Sequence, residues 1–257
     1  MLRAIPWLGL LLLAISFVWF VQLPEPLRPS PARKKPAVRG EPLVVVLDPG
    51  HGGQDSGAMC GTVLEKDLAL DVALRAEPLL RAAGFSTVLT RDDDRYVSLA
   101  ERASLGNRDD NSLFVSIHFN DGAHPAISGV ETYYAPQQSA SPPGLFSWLP
   151  FLQRVDSAPL TAQSESLAGF IQAALVERTQ AMNRGTKPEQ FYVIANVRHP
   201  AALVEGGFLT NKADATKLAT AEYRQQIASA ISDGVHRYQE AIRAGNTTLT
   251  LAAARSE

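Results

Sequence analysis

Short apolar runs rich in β-branched residues alternate with amphipathic stretches from Leu43 onward, and this alternation restricts the fold more than any other feature. Residues 43–47 are apolar and end in Asp48-Pro49-Gly50. Next, Leu68, Val72, Ala76, Leu79 and Ala83 recur at the spacing of one helix face, and Gly84 stands where a helix commonly stops. Residues 85–90 read as a second strand. Ser98, with Glu101 three residues on, forms a capping box for a helix over 99–108. Strands are expected at 113–117, 130–134, 191–194 and 202–205. Helices are expected at 167–178, after Asn211, and along the stripe Ile227, Ile231, Val235, Tyr238, Ile242. Strands alternating with helices predict a single α/β domain over 43–242, its sheet mostly parallel and covered on both faces. A tail of residues 243–257 follows. With 46% hydrophobic residues, the chain has ample material for the core.

Two segments stand outside this pattern. Residues 137–163 make a connection of 27 residues, longer than ordinary loops, and carry the apolar patch Leu145-Phe146-Ser147-Trp148-Leu149-Pro150-Phe151-Leu152. A surface insertion packing on its own domain is the plainest reading of it; a substrate lip, a lid or a membrane-docking element are the others. At the other end, residues 5–23 are uncharged and apolar, long enough to span a bilayer and long for a signal-peptide core. No small-x-small cleavage site follows, so residues 1–23 read as a signal anchor in preference to a signal peptide. Residues 24–42 hold six prolines among basic residues and read as an extended tether.

Charge is divided unevenly. Residues 1–42 contain six Lys/Arg and two acids, leaving 18 basic and 24 acidic residues beyond them, a net charge of −6. An acidic body excludes a nucleic-acid surface, which needs clustered cations. Cys60, the only cysteine, excludes an internal disulfide.

The chemistry-bearing residues fall at strand ends, where open α/β sheets bind ligands. His51 follows the first strand, Glu65 opens the first helix, His118 and Asn120 end the third strand, and Glu205 ends a late one. Two imidazoles and a carboxylate, His51, His118 and Glu65, suit one catalytic Zn2+ with a position left open. Glu205 would then serve as general base toward water and general acid toward a leaving amine. Each residue also has a plainer reading. A histidine in a glycine loop is often structural, and Glu65 could complement a helix N-terminus. An unpaired buried carboxylate at 205 is costly and harder to dismiss.

Several separated blocks match one family. VVLDPGHGGQDSGA (45–58), EKDLALDVA (65–73), LTRDDD (89–94), LAERASLGN (99–107), FVSIHFN (114–120), SGVETYYA (128–135), NRGTKPEQFYVI (183–194) and ALVEGGFLTN (202–211) occur in order over 43–240. The chain thus resembles the zinc-dependent N-acetylmuramoyl-L-alanine amidases of bacterial division and sporulation. The resemblance implies a six-stranded sheet and one zinc ion held by His51, Glu65 and His118. It further implies Glu205 as the catalytic carboxylate, Arg91 and Arg102 as structural, and Asn120 as a site-lining group. The implied reaction cleaves the amide between N-acetylmuramic acid and the L-alanine of the peptidoglycan stem peptide. Some members carry a helix that blocks the zinc until a partner removes it; residues 137–163 show no clear amphipathic helix of that kind, and a protein activator is a candidate partner. A peptidoglycan substrate places the domain at the periplasmic or outer face of the inner membrane, against the cytoplasmic placement suggested by the basic flank after residue 23. A zinc peptidase cutting elsewhere in the stem and a non-catalytic wall-binding module are the competing readings.

Overall fold

A computed structural model of the chain describes residues 42–138 and 158–254. The apolar run at 5–23, the tether up to residue 41 and the apolar patch at 145–152 lie outside these residues. Among the described residues, no helix is long and apolar enough to cross a membrane.

The elements in chain order are β1 (Val44–Pro49), a small hairpin of β2 (Met59–Cys60) and β3 (Val63–Leu64), α1 (Glu65–Ala82), β4 (Ser86–Leu89), α2 (Leu99–Gly106), β5 (Ser112–Asn120) and β6 (Val130–Tyr134). There follow α3 (Ala158–Thr179), β7 (Asn183–Pro188), α4 (Tyr192–Ala195), β8 (Ala201–Phe208), α5 (Lys212–Leu218) and α6 (Ala221–Ala254). Six strands form one sheet in the order β4-β1-β5-β8-β6-β7. The first four are mutually parallel; β6 joins β8 antiparallel, and β7 runs parallel to β6. The expected single α/β domain with a mostly parallel six-stranded sheet is therefore observed.

Local signals explain many boundaries. Gly84 takes φ 89°, its N–H donating to Arg81 O while Phe85 N–H donates to Leu80 O, the paired bonds that close a helix at a left-handed residue. Ser98 and Glu101 exchange the two bonds of the capping box at the start of α2. Asn211 caps α5 by accepting from the N–H groups of Ala213 and Asp214.

Three expectations are corrected. Residues 191–194 are not a strand: after Phe191, α4 makes one helical turn, in which Ala195 N–H donates to Phe191 O. A four-residue apolar run does not distinguish helix from strand by periodicity. The sixth strand is instead β7, a polar edge strand with no apolar alternation to reveal it. Residues 158–163, expected to belong to the long connection, lie instead in α3. At the C-terminal end, α6 continues past residue 242 to Ala254.

Alternation along the strands sends neighbours to opposite faces. Val45, Leu47, Leu113, Val115, Ile117, Ala202 and Val204 pack with residues of α1, α3 and α6 in the larger core. Val46, Phe114, Ala201 and Leu203 pack on the opposite face with Ala103 of α2 and with Val193, Ile194 and Ala195 of α4. That second face, covered by short helices only, carries the candidate site.

Candidate active site

Asp48, at the carboxyl end of β1, is fully buried. It accepts from Thr90 Oγ1 at 2.6 Å, Ser116 Oγ at 2.8 Å and Arg102 Nη1 at 2.7 Å. Arg102 also donates to the carbonyls of Pro49 and His51, and Arg91 to those of Pro49, Gly50 and Lys66. The two guanidinium groups thus hold consecutive carbonyls of the turn. They keep His51 at φ 57°, a left-handed conformation that costs a non-glycine residue on the order of 1–3 kcal/mol. Gly50 must be glycine, since a Cβ there would lie 2.3 Å from Cε1 of His118. The bare backbone lets the His118 ring lie against the turn.

Three side chains meet above this turn. Glu65, first residue of α1, accepts the Ala58 N–H on Oε2 at 2.7 Å and the Phe119 N–H on Oε1 at 3.1 Å. The same Oε1 faces His51 Nε2 at 3.0 Å and His118 Nδ1 at 2.9 Å. The two rings stand edge to face with centroids 4.9 Å apart. On its far side, His51 Nδ1 contacts Asp55 Oδ2 at 2.9 Å, which orients the ring and leaves Nε2 toward Glu65. Burial disfavours the charged form of Glu65, but hydrogen bonds and charge from His118 and His51 outweigh it and hold the carboxyl well below the usual range. Burial likewise opposes protonation of His51, yet Glu65 and Asp55 together raise its pKa.

Ligand atoms from His51, Glu65 and His118 lie within 4.8 Å of one another, the one such grouping of three among the described residues. Two imidazole nitrogens and one carboxylate oxygen this close are the donor set of a three-ligand catalytic zinc, so the residues fit such an ion. Their own hydrogen bonds to Asp55, Ala58 and Phe119 hold the donors in place without it.

Register brings Glu205 beside this group. On neighbouring strands His118 pairs with Glu205, and Glu205 pairs with Glu131, so the three side chains form a row on one face. Glu205 Oε2 is buried and has no hydrogen-bond partner among the described residues. Burial, reinforced by the negative charges of Glu65 and Glu131, pushes its carboxyl well above the usual carboxylate range. Asn120 is not one of the three ligand residues; its Nδ2 donates to Glu131 Oε1 at 2.8 Å. A cleft of about 310 Å³ opens over Asp48, His51 and His118, with Tyr96, Leu99, Phe191 and Tyr192 along its sides.

A family model described as N-acetylmuramoyl-L-alanine amidase matches residues 45–237, spanning β1 to the middle of α6. The chain belongs to the N-acetylmuramoyl-L-alanine amidase family. Its activity is the family's, hydrolysis of the amide that joins N-acetylmuramic acid to L-alanine. The amidase LytC of Bacillus subtilis is 38% identical over 205 residues, covering 80% of this chain and 36% of LytC. The amidase AmiC2 of Nostoc punctiforme is 34% identical with a TM-score of 0.65, over 77% of this chain and 97% of AmiC2. The CwlD amidase of Clostridioides difficile, solved in complex with the GerS lipoprotein, is 26% identical with a TM-score of 0.66, over 77% of this chain and 99% of CwlD.

Two residues of this amidase escaped the sequence reading. Asp55 lies four residues beyond His51 within an Asp-Ser-Gly stretch that reads as a turn. Glu131 is nearly fully buried, yet it sits in a strand, VETYY, whose alternation makes it look like an ordinary outward polar residue. Its partners, Tyr133, Arg184 and Lys187, include two residues more than 50 positions away in the strand that was itself missed.

Proposed function

We propose that this amidase is zinc-dependent, that His51, Glu65 and His118 hold the ion, and that Glu205 carries the proton. The observation that supports this most is the buried, unpartnered Oε2 of Glu205 on the strand position next to His118. A buried carboxylate with no donor is costly in a resting protein, and is explained when it exists to take up and release a proton. When bound, the ion supplies Lewis acidity toward the scissile carbonyl and toward water. Glu205 then accepts the water proton at Oε2 and delivers it to the nitrogen of L-alanine as that amine leaves. The raised pKa suits this second task, because a carboxyl above its ordinary range keeps the proton long enough to hand it on. Asp55 holds the tautomer of His51 that keeps Nε2 free toward the ion. Asn120, fixed by Glu131, lines the site.

Peptidoglycan as substrate supports action in the cell envelope, on the extracytoplasmic side. The apolar run at 5–23 serves as an inner-membrane anchor, residues 24–42 as a tether, and residues 137–163 as a variable insertion. The CwlD–GerS complex supports a protein partner for this chain too.

Digestion of purified peptidoglycan by the full chain, read by product mass, tests the proposal. Intact stem peptide freed from the sugar, abolished by a chelator and restored by zinc, is the expected result. Products cut within the stem, or full turnover in chelator, would overturn it.

A further inference from the structure

The row His118, Glu205, Glu131 continues across one more strand, and what stands there is cationic. In an ordinary strand, residues three apart point to opposite faces. Between β6 and β7 the register shifts: Val130 pairs with Asn183, but Thr132 pairs with Thr186, so β7 carries one extra residue. Gly185, at φ 80°, sits within this bulge, and Asn183 Oδ1 accepts its N–H at 2.9 Å. The extra residue turns Arg184 and Lys187 to the same face. Arg184 Nε reaches Glu131 Oε2 at 2.9 Å, and Lys187 Nζ reaches the same oxygen. Two cations therefore share one carboxylate and leave a surplus of one positive charge.

Their exposure is unequal. Glu131 is 2% exposed, whereas Arg184 and Lys187 are 28% and 37% exposed. The anion is inside, and the cations are what an approaching molecule meets. Ring contacts steady both of them: Arg184 lies over Phe208 at 5.1 Å and Lys187 over Tyr133 at 5.7 Å. Among the described residues, the terminal nitrogens of Arg184 have no acceptor in this network.

We propose that Arg184 and Lys187, positioned by Glu131, form a seat for a carboxylate of the stem peptide on the residue that follows L-alanine. The spacing supports it. Strands lie about 4.8 Å apart, so the cations stand one to two spacings beyond Glu205, on the side away from His118. Two extended residues reach at most about 7 Å from the leaving nitrogen. From a nitrogen at Glu205, that reach covers the nearer part of this separation, where the two side chains extend back to Glu131. The stem peptide then runs from the His–Glu–His group over β6 toward β7. This inference rests on Glu205 as the group that meets the leaving nitrogen.

Steady-state hydrolysis of two defined muropeptides, with a free carboxylate or a carboxamide on that residue, tests it. Wild type should favour the carboxylate by about 10- to 100-fold in kcat/KM, the size of a lost charge-assisted hydrogen bond. Arg184→Ala and Lys187→Gln should each shrink that ratio toward one, mainly through KM, and Arg184→Lys should keep part of it. Equal rates on both substrates by wild type would overturn the seat, an outcome independent of whether any variant folds. So would a preference that survives both substitutions. Glu205→Gln is assayed separately: if it retains turnover, the reading of Glu205 falls, while the substrate preference of wild type still judges the seat.

Discussion

The two faces of the sheet draw on alternate residues of the same strands. One takes Val45, Leu47, Val115, Ile117, Ala202 and Val204 and buries them under α1, α3 and α6, with Leu167, Ile171, Leu175, Ile227 and Ile231 opposite. The other takes Asp48, Ser116, His118, Glu205 and Glu131, with α2 and α4 packed on that face and Glu65 reaching His118 from the start of α1. A period of two lets one strand serve a dry core and a charged row without compromise between them. On that face the buried carboxylates of Asp48 and Glu131 are paired, the first with Arg102 and the second with Arg184 and Lys187. The unpartnered Oε2 of Glu205 is the exception, and it lies where the chemistry is proposed.

Substitutions on each face should separate stability from activity. Leu175→Ala opens a hole in the thick face and should cost about 2–5 kcal/mol of stability by chemical unfolding. Metal affinity in the folded protein should stay as it was; a parallel loss of metal would mean that the faces are coupled. On the thin face, Asp55→Ala removes the contact that orients His51 and should weaken zinc binding about 10- to 100-fold in competition with a chromophoric chelator. Its unfolding midpoint without metal should barely move, because Asp55 is a half-exposed loop residue. Unaltered zinc affinity would show that the turn, not Asp55, sets the ring. The smallest effect belongs to Ser98→Ala. Loss of this cap should cost about 1 kcal/mol, and leave metal affinity unchanged.

The thick face was legible in the sequence because it is written as periodicity. Leu68, Val72 and Ala76 in α1, and Ile227, Ile231 and Val235 in α6, follow the helical repeat and are buried. The thin face was legible only in part. His51, Glu65, His118 and Glu205 stand out as polar residues at element ends, and their blocks resemble a known family. Glu131 and Asp55 do not stand out, because their importance lies in partners rather than type. Strand β7 was missed since Asn-Arg-Gly-Thr-Lys-Pro has neither alternation nor apolar content; bulge and edge position explain both. Phe191 to Ile194 was misread because a short apolar run buries as well in a helical turn as in a strand.

In the proposed mechanism the work is divided, with His51, Glu65 and His118 for the metal and Glu205 for the proton. Zinc content and turnover of Glu205→Gln, measured on the same preparation, test it most directly. One zinc per chain with turnover reduced about 10²- to 10⁴-fold is the expected result. A zinc-loaded variant that hydrolyses muropeptide at the wild-type rate would contradict it.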